Sequence, residues 1–245
     1  AFMIDPAVNT VIVSDLHIGS SHLRKARLLG FLDSLPDGVE LVLNGDTLDA
    51  PGRALDDDAR QVMDRLFELA ERVPITMVAG NHDAGYEPPE AVHFTVKPAH
   101  AIPGQKVFVA HGSHFDNVMP VNRWFIRLFR FLHRLRIVLG ARPVHVAEYA
   151  KRWGFLYRYL RKSVMMNAVE YARENGYSAV ICGHVHYPER RLVDGITYIN
   201  TGAWTEHPTC YVEVRENALR LMVWRGLGAP PCVYSGPVGG RGCQS

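Results

Sequence analysis

The chain has 245 residues and a formal net charge of only +2, so its overall charge excludes no class of partner. Apolar residues make up 47% and charged residues 21%, which excludes the disordered and fibrous classes. No apolar run reaches the roughly 18 residues that a membrane-spanning helix needs. A length of this size predicts one substantial domain, residues 1–245, with a core of its own.

The four cysteines lie far apart and form no CxxC pair. Cys182 falls within an apolar run, where a buried and reduced thiol is the expected state. This pattern is typical of a reducing compartment. The N-terminal residues lack the basic and apolar regions of a signal peptide. We therefore expect a cytoplasmic protein.

Short apolar runs predict buried strands, and periodic segments between them predict helices. The predicted strands, in chain order, are Thr10–Val13, Glu40–Leu43, Ile75–Val78, Lys106–Ala110, Ala179–Cys182 and Ile196–Ile199. Near-continuous apolar runs of this length are typical of strands covered on both faces. Leu23–Leu35 predicts a helix that a preceding Ser-Ser pair could cap, and Asp56–Arg72 predicts another with acidic residues in its first turn. This alternation predicts an α/β fold.

The C-terminal part of the chain has a different pattern. The segments TCYVEV and LRLMVW alternate in polarity around Glu216-Asn217 and predict a β-hairpin. Residues 227–245 are rich in glycine and proline, so we expect a loosely ordered tail there. No internal repeat is present.

Polar side chains follow five of the predicted strands. They are, in order, Asp15 and His17; Asp46; Asn81, His82 and Asp83; His111; and His184 and His186. Sites in open α/β sheets assemble at the carboxyl ends of strands, and the adjacent glycines let the backbone turn sharply there. Any one of these groups is more often turn chemistry, but all five in this order predict a site. Asp, His and Asn ligands without cysteine suit Mn²⁺, Fe or Zn²⁺.

The motifs D-x-H, GD, GNHD, HG and GHxH, in this order between Thr10 and Trp204, resemble the calcineurin-like metallophosphoesterase superfamily. The resemblance implies a β-sandwich of two mixed sheets flanked by helices, and two metal ions that share Asp46 as a bridge. The implied ligands are Asp15, His17, Asp46 and His186 for one ion, and Asp46, Asn81, His111 and His184 for the other. His82 is implied to be catalytic. Asp83 would either orient its imidazole or cap the loop. Asp49, His114 and Asp116 are either supporting groups or ordinary loop residues.

Residues 120–165 predict a helical cap insertion of unusual charge. Residues 120–164 hold 11 Lys and Arg and one acid, net +10, whereas the rest of the chain has 16 basic and 24 acidic residues, net −8. Arginines share one stripe of a predicted helix opposite a broad aromatic and aliphatic face, which favours a lid that contacts lipid, an anionic membrane or substrate. A helical hairpin packed on the core and a homodimer interface are alternatives. The candidate substrate contacts are Arg123, Arg127, Arg152, Arg158 and Arg161.

This insertion, Phe115-Asp116 and the segment YINTGAW resemble the bacterial UDP-2,3-diacylglucosamine diphosphatase group. The resemblance implies cleavage of the substrate pyrophosphate to UMP and an acylated sugar 1-phosphate, in lipid A synthesis, by a peripheral inner-membrane protein. That group typically carries arginine where this chain has His82 and aspartate where it has Ser113. An alkoxide leaving group needs an acid whereas a phosphate scarcely does. A cyclic-nucleotide phosphodiesterase or general phosphatase is therefore an alternative.

A nuclease or nucleic-acid binder is a third hypothesis, since arginines interleaved with aromatic residues could track phosphates and stack bases. Against it, the apolar face is wider than base stacking needs, and the chain carries no recognisable nucleic-acid module. The sequence therefore favours a phosphoester or lipid-linked substrate over nucleic acid.

Overall fold

The computed structural model describes residues 3–90, 93–118, 131, 135, 138–140, 154–216, 218–236 and 243–244. The α-helices of this part are α1 (Lys25–Leu32), α2 (Asp57–Leu69) and α3 (Gly154–Glu174). The strands are β1 (Thr10–Val13), β2 (Glu40–Asn44), β3 (Ile75–Val78), β4 (Phe94–Lys97), β5 (His100–Ala101), β6 (Val107–Val109), β7 (Ala179–Cys182), β8 (Glu189–Val193), β9 (Ile196–Asn200), β10 (Cys210–Arg215), β11 (Ala218–Val223), β12 (Cys232–Tyr234) and β13 (Cys243–Gln244).

Two mixed sheets form the centre of the fold. The first has the strand order β13-β12-β11-β10-β1-β2-β3-β4, and β1 to β4 run parallel in it. The second has the order β5-β6-β7-β9-β8, and β6, β7 and β9 run parallel. This confirms the expected sandwich of two mixed sheets. The parallel strands of each sheet share a direction, so their carboxyl ends collect at one edge of that sheet.

The helices and sheets form four layers. On β1, Val11 and Val13 face the core that α1 and α2 cover, whereas Ile12 faces the core shared with the second sheet. This is the alternation that a strand covered on both faces requires. Helix α3 covers the other face of the second sheet, where Val164 packs in one cluster with Val180.

Most predicted elements are confirmed, and helix α1 differs in its start. It begins at Lys25, and its N-cap residue Arg24 makes no side-chain capping bond, so the expected serine cap is wrong. Helix α2 begins as predicted, because the Asp56 side chain accepts a hydrogen bond of 2.8 Å from the Ala59 backbone N–H. The hairpin of β10 and β11 is also confirmed.

The expectation of a loose tail is wrong for two of its segments. Strand β12 pairs antiparallel with β11, and β13 pairs with β12. Valine and tyrosine in β12 favour extended backbone, and pairing against an existing edge suffices to order them. Cys232 is disulfide-bonded, contrary to the expectation of reduced thiols, whereas Cys182 and Cys210 are free and buried.

Most of the predicted cap insertion lies outside the described residues, and so do Arg123, Arg127 and Arg152. Its described C-terminal end is the start of α3, which carries Arg158 and Arg161. In the described part of the chain, no helix combines the length and the apolar character needed to cross a membrane.

Candidate metal centre

The loops after β1, β2, β3, β6 and β7 meet at one edge of the sandwich. Across the two sheets, His186 Nε2 lies 3.1 Å from Asp15 Oδ1. His111 Nε2 lies 3.3 Å from Asp46 Oδ2. The structure therefore brings together groups that are far apart in the sequence, as the motif order predicted.

The first group of candidate ligands consists of Asp15, His17 and His186. All three are buried, and their ligand atoms lie within 4.8 Å of one another. The Nε2 atoms of His17 and His186 are 3.3 Å apart, so two imidazole nitrogens point at one small volume. A cation that accepts both lone pairs suits this arrangement better than two imidazoles facing each other without one.

The second group surrounds Asn81. Its Oδ1 atom lies 3.3 Å from His111 Nε2 and 3.1 Å from His184 Nδ1. Asp46 joins this group through His111, and Asp15, Asp46 and His111 also have ligand atoms within 4.8 Å of one another. Asp46 therefore adjoins the second group and lies near a ligand of the first, which suits a bridging carboxylate.

Backbone strain is concentrated at these residues. Six non-glycine residues of the described chain have a positive φ, and five of them are predicted ligands. These five are Asp15 (53°), His17 (46°), Asp46 (51°), His184 (65°) and His186 (51°). A left-handed conformation costs on the order of 1–3 kcal/mol for such a residue and persists where the surroundings impose it. The strain marks this edge as a functional site.

Two glycines are required by close approach rather than by φ. A Cβ atom at Gly80 would overlap the backbone nitrogen and a carboxylate oxygen of Asp46. A Cβ atom at Gly183 would overlap a carboxylate oxygen of Asp15 and the hydroxyl of Ser14. Since both contacts involve a candidate ligand, these glycines let the loops of one sheet pack against the carboxylates of another strand.

Carboxylates lie behind two of the ligand imidazoles. Asp116 Oδ2 lies 2.9 Å from His184 Nε2, which leaves Nδ1 to face Asn81. Asp49 Oδ1 lies 3.4 Å from His17 Nδ1. Such partners orient a metal-binding imidazole and raise its basicity. Of the two readings open for Asp49 and Asp116, the contacts favour supporting groups.

The other two imidazoles also have partners. His186 Nδ1 lies 3.4 Å from Glu206 Oε1, and His111 Nδ1 donates to the Asn44 backbone carbonyl at 3.1 Å. In both residues Nε2 is left to face the candidate centre. Glu206 was not predicted from the sequence. Its only signal in the sequence is its position two residues after the YINTGAW segment, which ends at Trp204.

His82 and Asp83 have different surroundings. His82 Nδ1 donates to the Asp49 backbone carbonyl at 2.8 Å, which fixes the ring and leaves Nε2 available. Its ring lies edge-on to that of His17, with centroids 5.0 Å apart. The Asp83 carboxylate accepts backbone N–H groups of Leu48 and Gly80, both at 3.0 Å. It therefore joins two site loops, which corresponds to the loop-capping alternative.

The buried charges of the centre interact strongly. Burial alone would raise the pKa of Asp15, but the imidazole of His186 outweighs this and holds it well below its usual range. Burial likewise opposes protonation of the histidines, yet Asp46 and Asp15 raise the pKa of His111 and His186 to about 9. The centre thus stabilises positive charge beside its carboxylates, which is the environment that a divalent cation needs.

Helix α3 contacts the loop that carries His184 and His186. The Tyr157 hydroxyl donates to the Val185 backbone carbonyl at 2.6 Å. Arg161 Nη2 lies 2.8 Å from Glu189 Oε2, and its guanidinium lies 3.3 Å from the ring centroid of Tyr187. The predicted substrate contact Arg161 is therefore engaged within the protein.

Arg158, the other described candidate contact, is exposed and donates to the Gly154 carbonyl of its own helix at 3.1 Å. Nearer the C-terminal end of α3, Asn167 Nδ2 donates to the backbone carbonyl of Phe115, the residue before Asp116, at 2.7 Å. The helix therefore touches both sides of His184: the loop that holds it and the segment that orients it.

The sequence model of the calcineurin-like phosphoesterase family matches residues 8–188. No curated protein matches the chain significantly.

Several solved structures resemble the chain at low identity. A conserved uncharacterized protein of Streptococcus pneumoniae, a predicted phosphoesterase, is 18% identical, with 93% of this chain and 92% of that chain covered and a TM-score of 0.44. Yfce, a phosphoesterase from E. coli, is 17% identical, with 88% and 93% covered and a TM-score of 0.44. An archaeal phosphodiesterase is 19% identical, with 87% and 98% covered and a TM-score of 0.46. All three TM-scores are below 0.5, so the family is shown by the sequence match over residues 8–188.

Proposed function

The chain belongs to the calcineurin-like phosphoesterase family and is a metal-dependent phosphohydrolase, and from that premise we propose that it cleaves the pyrophosphate of a lipid-linked nucleotide sugar. The proposed substrate is of the UDP-2,3-diacylglucosamine type, with UMP and an acylated sugar 1-phosphate as products. The observation that supports a lipid-linked substrate is the combination of the +10 charge in residues 120–164 with exposed apolar side chains there. Val138 is 81% exposed, Leu139 77% and Phe155 80%.

Two divalent ions fit the donor set, since buried carboxylates, an amide oxygen and imidazole nitrogens converge on it. We propose Mn²⁺, with Fe or Zn²⁺ as alternatives. The proposed ligands are Asp15, His17, Asp46 and His186 for one ion and Asp46, Asn81, His111 and His184 for the other. When bound, such ions supply Lewis acidity to a phosphoryl group and to a water.

The chain's own residues would prepare and hold this arrangement. Asp116 and Glu206 accept the outer N–H of His184 and His186, and the Asp49 carboxylate lies 3.4 Å from the outer nitrogen of His17, so that each imidazole presents its other nitrogen inward. Asn81 contributes a neutral oxygen, which keeps the site from becoming too negative for a phosphate. His82 would act through Nε2 as a general acid toward a phosphoryl or leaving oxygen.

A second candidate function is hydrolysis of a monoester or diester, including a cyclic nucleotide. His82 favours it, because its Nδ1–H is fixed on the Asp49 carbonyl and Nε2 is left for acid catalysis. An alkoxide leaving group needs that acid, whereas a phosphate leaving group does not. The candidates therefore differ in their dependence on His82.

The test is phosphorus-resolved product analysis with Mn²⁺-loaded protein. The substrates are UDP-2,3-diacylglucosamine, bis-p-nitrophenyl phosphate and a cyclic nucleotide. We expect UMP release that Asp46→Asn abolishes, with Asp64→Asn, an exposed carboxylate of α2, as the matched control. Turnover of only the simple esters, strongly reduced in His82→Ala, would replace the diphosphatase by the second candidate.

We also propose peripheral binding to the inner membrane from the cytoplasm, with a homodimer interface as the alternative use of the exposed apolar face. Flotation with anionic phospholipid vesicles tests the membrane contact, and we expect binding that detergent abolishes. Steep salt-dependent binding to DNA, without vesicle binding, would instead support the nucleic-acid hypothesis.

A further inference from the structure

A group of cationic side chains lies beside the candidate metal centre and has no role in it. Arg24 Nε donates to the Thr205 backbone carbonyl at 3.3 Å, and the Arg24 guanidinium also contacts His207 Nε2. Arg27 Nη1 donates to the Trp224 carbonyl at 2.8 Å. We call Arg24 and Arg27, together with the adjoining imidazole of His207, the cationic cluster.

The segment that carries His207 is attached directly to the metal ligands. The Trp204 backbone N–H donates to the Asp15 carbonyl at 3.1 Å. Two residues further on, Glu206 Oε1 lies 3.4 Å from His186 Nδ1. Since Thr205 lies between these two contacts and accepts from Arg24, the cationic cluster flanks the ligands Asp15 and His186.

The cationic cluster is not neutralised within the described residues. No carboxylate there lies within 4.0 Å of Arg24, Arg27 or His207, whereas nearby surface cations have acidic partners. Lys25 Nζ, for example, lies 2.6 Å from Asp58 Oδ1. Burial, followed by the charges of Arg24 and Arg27, lowers the pKa of His207, so the imidazole is neutral and the positive charge of this group comes from the two arginines.

A buried hydroxyl at the same place also needs a partner. Thr205 is 6% exposed, and its Oγ1 atom has no hydrogen-bond partner among the described residues. A buried hydroxyl without a partner costs free energy, and a ligand oxygen would satisfy it. Two guanidinium groups without a carboxylate partner and a buried hydroxyl without a hydrogen-bond partner among the described residues indicate an anionic ligand.

We propose that Arg24, Arg27, His207 and the Thr205 hydroxyl form a subsite for a second, non-scissile phosphate of the substrate. The proposal rests on the proposed hydrolysis at the neighbouring metal centre and names the class of substrate that this centre accepts: esters or anhydrides with more than one phosphate. Arg24 and Arg27 bind the phosphate oxygens, and the Thr205 hydroxyl donates to them.

The test compares two chromogenic esters that differ in one group. They are the p-nitrophenyl phosphate ester of thymidine, with and without a second phosphate on the other sugar hydroxyl. The wild type should show a KM on the order of 10-fold lower for the doubly phosphorylated ester, because one additional hydrogen bond between charged groups strengthens binding by about that factor. Arg24→Gln and Arg27→Gln should lose this preference and keep kcat/KM for the simpler ester.

Two controls accompany the variants. Arg190→Gln removes an exposed arginine of β8 and should keep the wild-type preference. Arg24→Lys keeps the charge and should retain part of it. Equal KM values for the two esters in the wild type, or a preference that survives in both glutamine variants, would overturn the proposal.

Binding measurements separate this proposal from the proposed function. Calorimetric titration of Mn²⁺-loaded protein with thymidine bisphosphate and thymidine monophosphate measures the same preference without turnover. If neither ester is hydrolysed but the bisphosphate binds about 10-fold more tightly in the wild type only, the subsite stands and the hydrolysis is wrong. If the two ligands bind equally, the subsite is wrong whatever the activity.

Discussion

The Tyr157 hydroxyl donates a 2.6 Å hydrogen bond to the backbone carbonyl of Val185, the residue between the ligands His184 and His186. Both partners are buried. Tyr157 lies near the start of α3, in the C-terminal part of the cap insertion. The contact therefore connects the cap insertion to the loop that holds the two candidate metal ligands His184 and His186.

Tyr157→Phe should weaken metal binding without unfolding the protein. The substitution removes one hydroxyl and keeps the ring, so we expect a stability loss of about 1 kcal/mol. The loop of His184 and His186 loses one of its supports, and we expect metal affinity to fall about 10-fold. Calorimetric titration with Mn²⁺ measures this. Tyr159→Phe is the matched control, since Tyr159 is on the same helix and 57% exposed. Equal losses in both variants would contradict the account.

Gly80→Ala should strongly reduce activity through displacement of Asp46. The added methyl group would overlap the backbone and a carboxylate oxygen of Asp46, so that the bridging position must move. We expect loss of metal binding, measured by metal content after gel filtration, and hydrolysis reduced on the order of 100-fold. Gly228→Ala is the control, because nothing lies within 4 Å of its added Cβ atom. Retained activity in Gly80→Ala would show that the observed position of the Asp46 carboxylate is not required for hydrolysis.

Asp116→Asn should reduce metal affinity by about 10- to 100-fold, because it removes the charge that orients His184. The amide keeps the size of the side chain, so the melting temperature of the chelator-treated protein should change little. A titration with Mn²⁺ checks this, with Asp64→Asn as the control. If the affinity is unchanged, the 2.9 Å contact between Asp116 and His184 is incidental.

The ligand set could be predicted from the sequence because each ligand directly follows an apolar strand. Asp15 and His17, for instance, lie two and four residues after Val13, the last residue of β1. The order of the motifs along the chain then assigns them as ligands. Glu206 could not be predicted. Its contact with His186 joins two loops of the folded chain, and no local pattern distinguishes this glutamate from one that faces solvent.

Some strands were missed for a related reason. Strands β4 and β8 lie at sheet edges and carry polar residues, so that no apolar run marks them. Their pairing is decided by the neighbouring strands β3 and β9. The opposite error occurred in the tail, where glycine and proline content predicted disorder although β12 pairs with β11.

Metal affinity should increase with pH. Burial opposes the charge on His111 and His186, but Asp46 and Asp15 raise the pKa of these histidines to about 9. In the chelator-treated protein their contribution to stability is complete below the unfolded-state pKa of about 6.5 and is lost as pH rises towards 9. Metal ligation needs the neutral ring.

Two measurements check this dependence. Between pH 6.5 and about 9, the affinity for Mn²⁺ should rise while the melting temperature of the chelator-treated protein falls. Calorimetry in buffers of different ionisation enthalpy should detect protons released on metal binding. Binding without proton release in this range would contradict the charge state assigned to these histidines.

The central claim is a dimetal phosphohydrolase, and the most direct test is metal-dependent activity at defined stoichiometry. Chelator-treated protein is titrated with Mn²⁺ while hydrolysis of bis-p-nitrophenyl phosphate and the bound metal are measured together. We predict no activity without metal and full activity at two bound ions per chain. Asp46→Asn should recover neither the activity nor the binding of two ions. Full activity without metal, or saturation at one ion with Asp46→Asn unaffected, would contradict it.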